Sequence, residues 1–499
     1  MANEYKNIGV VVAEDEAKAR ELALQKFPHL NDREFSLRQD EDTLDTWFSS
    51  WLWPISVFDG IKNPDNEEIK YYYPTNDLVT GPDIIFFWVA RMIMAGYEYR
   101  GKECFNNVYF TGIVRDKLGR KMSKQLGNSP DPLELIHKYG ADGVRMGLML
   151  SAPAGNDILF DESLCEQGRN FCNKIWNAFR LVKSWEAVDI PQPEECEIIT
   201  EWFEAKLSVA ITNINDLFSK YRISEALMEV YKLFWDDFSS EYLETIKPEY
   251  QKPIDSKTYE NTINFFDKLL RLLHPFMPFI TEELWQQLIV RSEGESIMIQ
   301  EIPVPKEYNT KELSMSSSSK NNAPAGYYNF DDINYTPTII YEFEDTQDIV
   351  SNIRTIRQQK SISNNIPVTL EIIDNYDDEN YYIHSSYDPR FDSVIKKRAN
   401  VSDIKKVDKK SDNVVSFFVK ITEYSVPIDA FINVEEELAK LEADLKYHQG
   451  FLQSVAAKLA NENFVAKAPT QVLELERKKQ ADAESKIKSI EEAMAAYRS

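Results

Sequence analysis

A chain of 499 residues is long enough to bury a large core, and its length alone points to about three domains. Its apolar fraction of 43 % and aromatic fraction of 12 % suit a folded protein; no window approaches the roughly 18 unbroken apolar residues of a membrane helix, and no secretory leader opens the sequence, so a soluble, cytoplasmic protein with no membrane partner is expected. A formal net charge of −25 excludes a generic nucleic-acid coat, which needs diffuse positive charge to release counterions, and confines any polyanion site to a local patch.

Residues 1–39 read as a strand, GVVVA, followed by a helix, EDEAKARELALQKF. From 40 to 160, aromatic-rich segments are punctuated by turns such as DKLG and GNSPDP, and apolar runs such as NVYFTGIV alternate with helical stretches, a pattern that predicts an α/β fold. From 161 to 301 the helical period dominates: FCNKIWNAFRLVKSW, EWFEAKLSVAITNINDLFSKY, ISEALMEVYKLFWDDFSSEYLETI and TINFFDKLLRLLHPFMPFITEELWQQL each carry an apolar stripe and predict a helical bundle.

Residues 302–345 include LSMSSSSKNNAPAGYYNFDD, which has little to bury and predicts a flexible insertion. Residues 346–430 join a helix, QDIVSNIRTIRQQK, to the strand-like runs VTLEII, VVSFFVKI and YSVPI, which predicts a small α/β domain. In 431–499, Val434, Leu438, Leu441, Leu445, His448, Leu452, Val455 and Leu459 step by alternating fours and threes, and Ala483, Ile487, Ile490, Met494 and Tyr497 repeat the spacing beyond Pro469. An antiparallel coiled-coil hairpin is expected. Four cysteines, Cys104, Cys165, Cys172 and Cys196, lack CxxC spacing, so no zinc site is expected and the thiols are taken as reduced and buried.

One short stretch runs against the acidic background. Arg115, Lys117, Arg120, Lys121 and Lys124 fall within ten positions, and a tight turn can aim Lys121, Lys124 and the hydroxyl of Ser123 at one anion. A compact ammonium on a flexible stem suits a phosphoryl group as its charge develops. A solvated basic loop explains the charge equally well.

KMSKQLGNSPDP resembles the KMSKS loop of class I aminoacyl-tRNA synthetases, with Gln125 in place of the usual serine. DTLDTWFSSWLWP, VTGPDIIFFWVARMIMAGYEY and GNSPDPLELIHKYGADGVRMGLM are similar to the valyl branch of that family, and the likeness runs on to the terminal hairpin. The resemblance implies the C-terminal half of a Rossmann-like catalytic domain at 40–160, after the trailing edge of an inserted editing region at 1–39. It further implies an anticodon-binding bundle at 161–301 and a tRNA-binding arm at 431–499. Lys121 and Lys124 become catalytic candidates, and Gly81, Asp83, Met122 and Ser123 join them around ATP or the adenylate, with Asp83 on the ribose diol. Trp47, Ile84 and Trp88 become the valine pocket, although large apolar residues at helical spacing are equally core.

The implied substrates are ATP, with Mg2+ accompanying it, valine and tRNA(Val), and the implied reaction is formation of valyl-adenylate and transfer of the valyl group to tRNA. Arg169, Asn170, Asn173 and Lys174 are offered to RNA by the bundle, and Lys467, Arg477, Lys478 and Lys479 by the hairpin; helix surface is the plain alternative for each. The family also uses an HxGH element. None of His29, His137, His274, His384 and His448 sits in that spacing, so the resemblance is to a C-terminal portion lacking the HxGH-bearing half, inactive alone and monomeric when complete. An isoleucyl or leucyl sister enzyme and a purely RNA-binding module remain open at this point.

Overall fold

The computed structural model describes residues 8–29, 35–152, 155–306, 337–373, 387–428, 434–460 and 470–498. Two compact units emerge, Met1–Arg115 with Ala152–Ile158, and Asp116–Ser151 with Leu159–Ser499.

In the first unit, helix α1 (Glu16–Lys26) starts where the carboxylate of Asp15 accepts from the Lys18 amide at 2.7 Å, and it buries Ala23. The strand expected at GVVVA is absent. Val10 and Val12 are 68 % and 87 % exposed, and an extended segment becomes a strand only when a neighbour takes up its N–H and C=O groups. The centre of the unit is strand β1 (Thr75–Thr80), helix α2 (Ala90–Arg100) and strand β2 (Phe105–Phe110). The strands pair in parallel, Thr75 opposite Phe105 and Thr80 opposite Phe110, so the connection between them is a crossover carrying a helix, as parallel pairing requires. Gly101 ends α2 at φ +70°, a left-handed conformation that glycine adopts without steric penalty. Ile55, Ile69, Tyr73, Leu78, Val89, Met92, Cys104 and Phe105 form the core.

The second unit is mostly helical. Helices α3 (Pro132–Tyr139), α4 (Ala141–Leu150) and α5 (Glu162–Lys183) are followed by α6 (Glu194–Ser219), α7 (Ile223–Lys232), α8 (Ser256–Leu273) and α9 (Pro278–Leu288). The α5 stripe is Cys165, Gly168, Phe171, Ile175, Ala178, Phe179 and Val182, all buried, and it joins a core built around Trp202, Phe203, Phe234, Phe238, Tyr242 and Phe266. Two stretches read from sequence as unbroken helices are not uniform. Residues Leu233–Tyr242 continue α7 as a π-helical segment, and Pro278 opens α9 after a break at His274–Met277, since proline suits the first turn and not the interior of a helix.

Helices α4 and α5 cross almost backbone to backbone. A Cβ at Gly168 would lie 2.3 Å from the carbonyl oxygen of Gly143, and one at Gly147 would lie 2.8 Å from the Cys165 amide nitrogen. Only hydrogen fits between them.

Helix α10 (Thr338–Gln359) begins inside the stretch expected to be insertion. Ile339, Ile340 and Phe343 are buried in the bundle core, and Phe343 lies 4.3 Å from Trp202 between ring centroids, so apolar packing extends the helix backward into that stretch. Residues 302–306 are also held, the Lys306 amide donating to the Ser208 hydroxyl at 2.8 Å. Strand β3 (Val368–Ile373), helix α11 (Asp392–Ala399), and strands β4 (Val401–Val407), β5 (Val414–Val419) and β6 (Thr422–Pro427) form the small α/β layer, with sheet order β4-β3-β6-β5. The β3–β4 pair is parallel and the other two pairs are antiparallel. Two helices at the C-terminal end, α12 (Val434–Ala460) and α13 (Thr470–Arg498), pack on each other and bury Val455, Ala483 and Met494.

Candidate active site and RNA-facing surfaces

The basic stretch is a folded turn. Gly119, at φ +75°, lets the chain reverse so that the carboxylate of Asp116 accepts from the amides of Leu118 at 3.0 Å and Arg120 at 2.9 Å and from Arg120 Nε at 2.7 Å. The same carboxylate accepts from the side-chain amide of Asn128 at 2.9 Å. Asn128 in turn accepts from the Ser123 amide at 2.9 Å and donates to the Lys121 carbonyl at 3.3 Å. Asp116 and Asn128 therefore clasp the loop from both ends. The Asn128 amide, the Arg120 groups and the Leu118 amide together hold the Asp116 carboxyl at about 2, well below its ordinary range, against the opposing effect of partial burial.

Of the five cations, Arg115 is paired with Asp157, Lys117 with Asp161 at 2.9 Å, and Arg120 with Asp116. Lys121 is exposed, and its ammonium has no hydrogen-bond or ion-pair partner among the described residues. Among the described side chains of this turn, it is the cation left open to a ligand. Met122 and Ser123 are half-buried beside it; the Ser123 hydroxyl accepts from the Gln125 amide at 3.2 Å, and Lys124 begins a 3-10 turn, Lys124–Leu126. Asp116 and Asn128 were not among the residues singled out from sequence, although the DKLG turn marked the place.

In the first unit, the Asp83 carboxylate folds back over Gly81, where a Cβ would meet its Oδ1 at 2.7 Å. Gly81 has an ordinary extended backbone, φ −76° and ψ 150°, so what favours glycine there is the space the carboxylate occupies. Asp83 is exposed and unpartnered among the described residues, leaving both oxygens as acceptors. Asp83 lies in a 3-10 turn, Pro82–Ile84, which runs into a π-helical turn, Ile85–Val89, rather than into a regular α-helix. Trp88 stacks on Trp53 at 5.5 Å and donates its indole N–H to the Ser50 carbonyl at 3.0 Å, while Trp47 stacks on Phe87 at 5.9 Å. Trp47 and Trp88 thus sit in two separate stacked pairs, and the Trp88 indole ties the π turn to the end of the short helix Thr46–Ser50.

Along α5, Asn170 and Asn173 are exposed and free of partners among the described residues, and Arg169 lies 3.9 Å from Glu166 and over the Tyr139 ring at 5.7 Å. Lys174 sits 5.2 Å over the ring of Trp235. On α13, Lys479 is committed to Glu476 at 2.8 Å, whereas Arg477 and Lys478 are exposed with no partner among the described residues. Lys467 lies outside the described residues. The four cysteines are free; Cys172 is half-buried where full burial was expected, and burial pushes its thiol and that of Cys196 up to about 12. No cluster of metal-binding side chains occurs among the described residues, and no helix there is long and apolar enough to cross a membrane.

Three family descriptions match this chain: tRNA synthetases class I (I, L, M and V) over residues 1–161, anticodon-binding domain of tRNA ligase over 200–372, and valyl tRNA synthetase tRNA binding arm over 433–496. A catalytic-fold piece of a class I synthetase joined to an anticodon-binding domain is therefore the class of molecule present. The chain is 61 % identical over 98 % of its length to the valine-tRNA ligase of Parabacteroides distasonis, 59 % over 98 % to that of Phocaeicola vulgatus, and 35 % over 98 % to that of Fusobacterium nucleatum, covering 52 % of each relative. It belongs to the valine-tRNA ligase family, and it spans about half the length of the curated relatives it matches.

Proposed function

We propose that this chain supplies the lysine-loop portion of the active site and the RNA-recognition modules of a valine-tRNA ligase, which activates valine with ATP and transfers the valyl group to tRNA(Val). The observation that carries this reading is Lys121, an unpartnered cation on a turn clasped by Asp116 and Asn128, in a chain otherwise strongly acidic. A preorganised ammonium aimed at developing phosphoryl charge is worth far more than a mobile one. Lys124, Met122 and Ser123 complete the phosphate-facing loop, Gly81 and Asp83 take the adenosine ribose, and Mg2+ arrives on the phosphates of ATP. The stacked rings of Trp47 and Trp88 support a rigid apolar slot for the branched valine side chain, with Ile84 as its third member.

The parallel β1–α2–β2 crossover supports the reading of a Rossmann-like half-domain, and its surface supports a further layer over it. Parallel sheets are ordinarily covered on both faces, yet Val79 of β1 is 58 % exposed and Phe86 is 82 % exposed. Helices α12 and α13 support an antiparallel coiled-coil arm, with Arg477 and Lys478 among its free cations, and the exposed Asn170 and Asn173 of α5, beside Arg169 and Lys174, support RNA contact near the bundle. A soluble cytoplasmic enzyme, monomeric when complete, is the setting.

Two measurements on valine-dependent pyrophosphate exchange test this. In an enzyme completed with the HxGH-bearing half, Lys121→Ala slows exchange by about two orders of magnitude or more, and Asp83→Ala raises the KM for ATP more than it lowers kcat. Near-normal exchange in Lys121→Ala sinks the assignment. The 499-residue chain on its own gives background exchange, because proximity and electrostatic effects multiply and one wall of the pocket lacks its histidines. Robust exchange from this chain alone removes that part of the proposal and leaves the family intact.

A further inference from the structure

A cavity of about 350 Å³ opens between the helical bundle and the small α/β layer, far along the chain from the lysine loop. Lys174 of α5, Arg354 of α10, and Lys397 and Arg398 of α11 line it, against a single lining carboxylate, Glu244. Four cations around one small cavity are unexpected in a chain of net charge −25.

Their existing partners do not account for them. Arg354 donates from Nη2 and Nε to the Arg398 carbonyl, at 2.8 and 3.3 Å, which orients the guanidinium without neutralising it. Burial, and then the Arg398 guanidinium beside it, push Arg354 below its ordinary value. The Arg398 side chain is 8 % exposed; its Nη1 donates to the Glu241 carbonyl and the Thr245 hydroxyl and lies 3.0 Å from the Glu241 carboxylate, but its Nε is buried with no acceptor among the described residues. Lys397 reaches Glu195 at 3.2 Å, and Glu244 is shared with Lys247 at 3.8 Å. Lys174 has no carboxylate partner among the described residues.

A second, independent feature points into the same space. Ser239, 8 % exposed, lines the cavity, and its hydroxyl makes no hydrogen bond among the described residues. It sits in the π-helical segment Leu233–Tyr242, a widened backbone of the kind that concentrates at functional sites. The Ser239 hydroxyl is thus open to a ligand oxygen, and the buried, unpartnered Nε of Arg398 in the same lining carries a desolvation penalty that such an oxygen removes.

We propose that this cavity is an anion site for a phosphate group. The donors converge from four separate elements, α5, the π segment, α10 and α11, so they match an acceptor with oxygens directed tetrahedrally rather than a planar carboxylate, and guanidinium forks are the side chains best shaped for it. The phosphate comes either from a free small phosphate compound or from the RNA backbone; the second source rests on the RNA-binding reading above, and the first does not.

The test uses the full 499-residue chain and two probes, inorganic phosphate and a tRNA transcript. In calorimetric titration at matched ionic strength, inorganic phosphate binds where chloride does not, and Lys174→Gln or Arg354→Lys weakens it at least tenfold, while Lys62→Gln, in the other unit, leaves it unchanged. Far-UV circular dichroism confirms that each variant is folded. If the RNA backbone is the occupant, inorganic phosphate competes with the transcript, and Lys174→Gln lowers the slope of log K against log salt by about 1. If the occupant is a small phosphate compound, phosphate binds with transcript affinity unaffected. Phosphate binding no tighter than chloride, or equal losses in Lys174→Gln and Lys62→Gln, overturns the site.

Discussion

Asp116 carries more of the lysine loop than any lysine does. Its two oxygens take four donors, two backbone amides, the Arg120 Nε and the Asn128 side chain. Asp116→Asn keeps the shape but turns one acceptor into a donor that faces the Asn128 and Arg120 donors, so the clasp opens while Lys121 stays in the sequence. In a completed enzyme this variant lowers kcat for exchange with little change in the KM for valine, and the amides of Leu118 and Arg120 lose protection in hydrogen exchange. The pH dependence has a definite sign. Because the folded carboxyl titrates at about 2 and the ordinary value is 3.8, its contribution to holding the loop is fully present above 3.8 and is lost as pH falls from there toward 2. Loop protection measured across that window follows the curve in the native chain and not in Asp116→Asn.

At the scale of elements, the α4–α5 crossing fixes the register between the segment that follows the lysine loop and the helix carrying Asn170, Asn173 and Lys174. Gly168→Ala places a methyl 2.3 Å from the Gly143 carbonyl oxygen, a contact that backbone cannot yield cheaply, and overpacking of this kind costs about 1–3 kcal/mol or more. A lowered denaturant midpoint with an unchanged slope is the expected result; an unchanged midpoint would mean the helices separate freely. This crossing was invisible in the sequence, since GRNFCNK reads as an amphipathic stripe whether or not its glycine meets another backbone. The bundle helices were legible because Phe171, Ile175, Phe179 and Val182 repeat at the helical period. The π turn at Ile85–Val89 was not, because local periodicity in IIFFWV fits several helical pitches and tertiary packing of Trp53 on Trp88 selects one. The GVVVA strand failed for the same kind of reason: propensity proposes a strand and only a neighbouring strand completes it. At the candidate site, charge marked the basic stretch and the resemblance of KMSKQ to the KMSKS loop singled out Lys121, whereas the Asp116–Asn128 clasp spans twelve positions and needs the fold to bring it together.

For the whole molecule, the hairpin helices and the lysine loop separate cleanly as targets. Removing residues 431–499 deletes none of the residues assigned to the adenylate, so in a completed enzyme exchange without tRNA persists, charging of tRNA falls, and the loss deepens as salt rises. Equal damage to both reactions would make the hairpin a folding element. Under the proposed function the acidic total sharpens this, since RNA would approach a molecule of net charge −25 where cations such as Arg477 and Lys478 stand free. The glycine crossing described above also has a consequence for the gene. Every amino acid other than glycine brings at least a Cβ, so each missense change at codon 168 lands in the same 2.3 Å gap, whatever the chemistry of the new side chain. Under selection for a folded product, saturation mutagenesis of that codon returns synonymous changes alone, while the neighbouring codons for the exposed Asn170 and Asn173 accept a broad range.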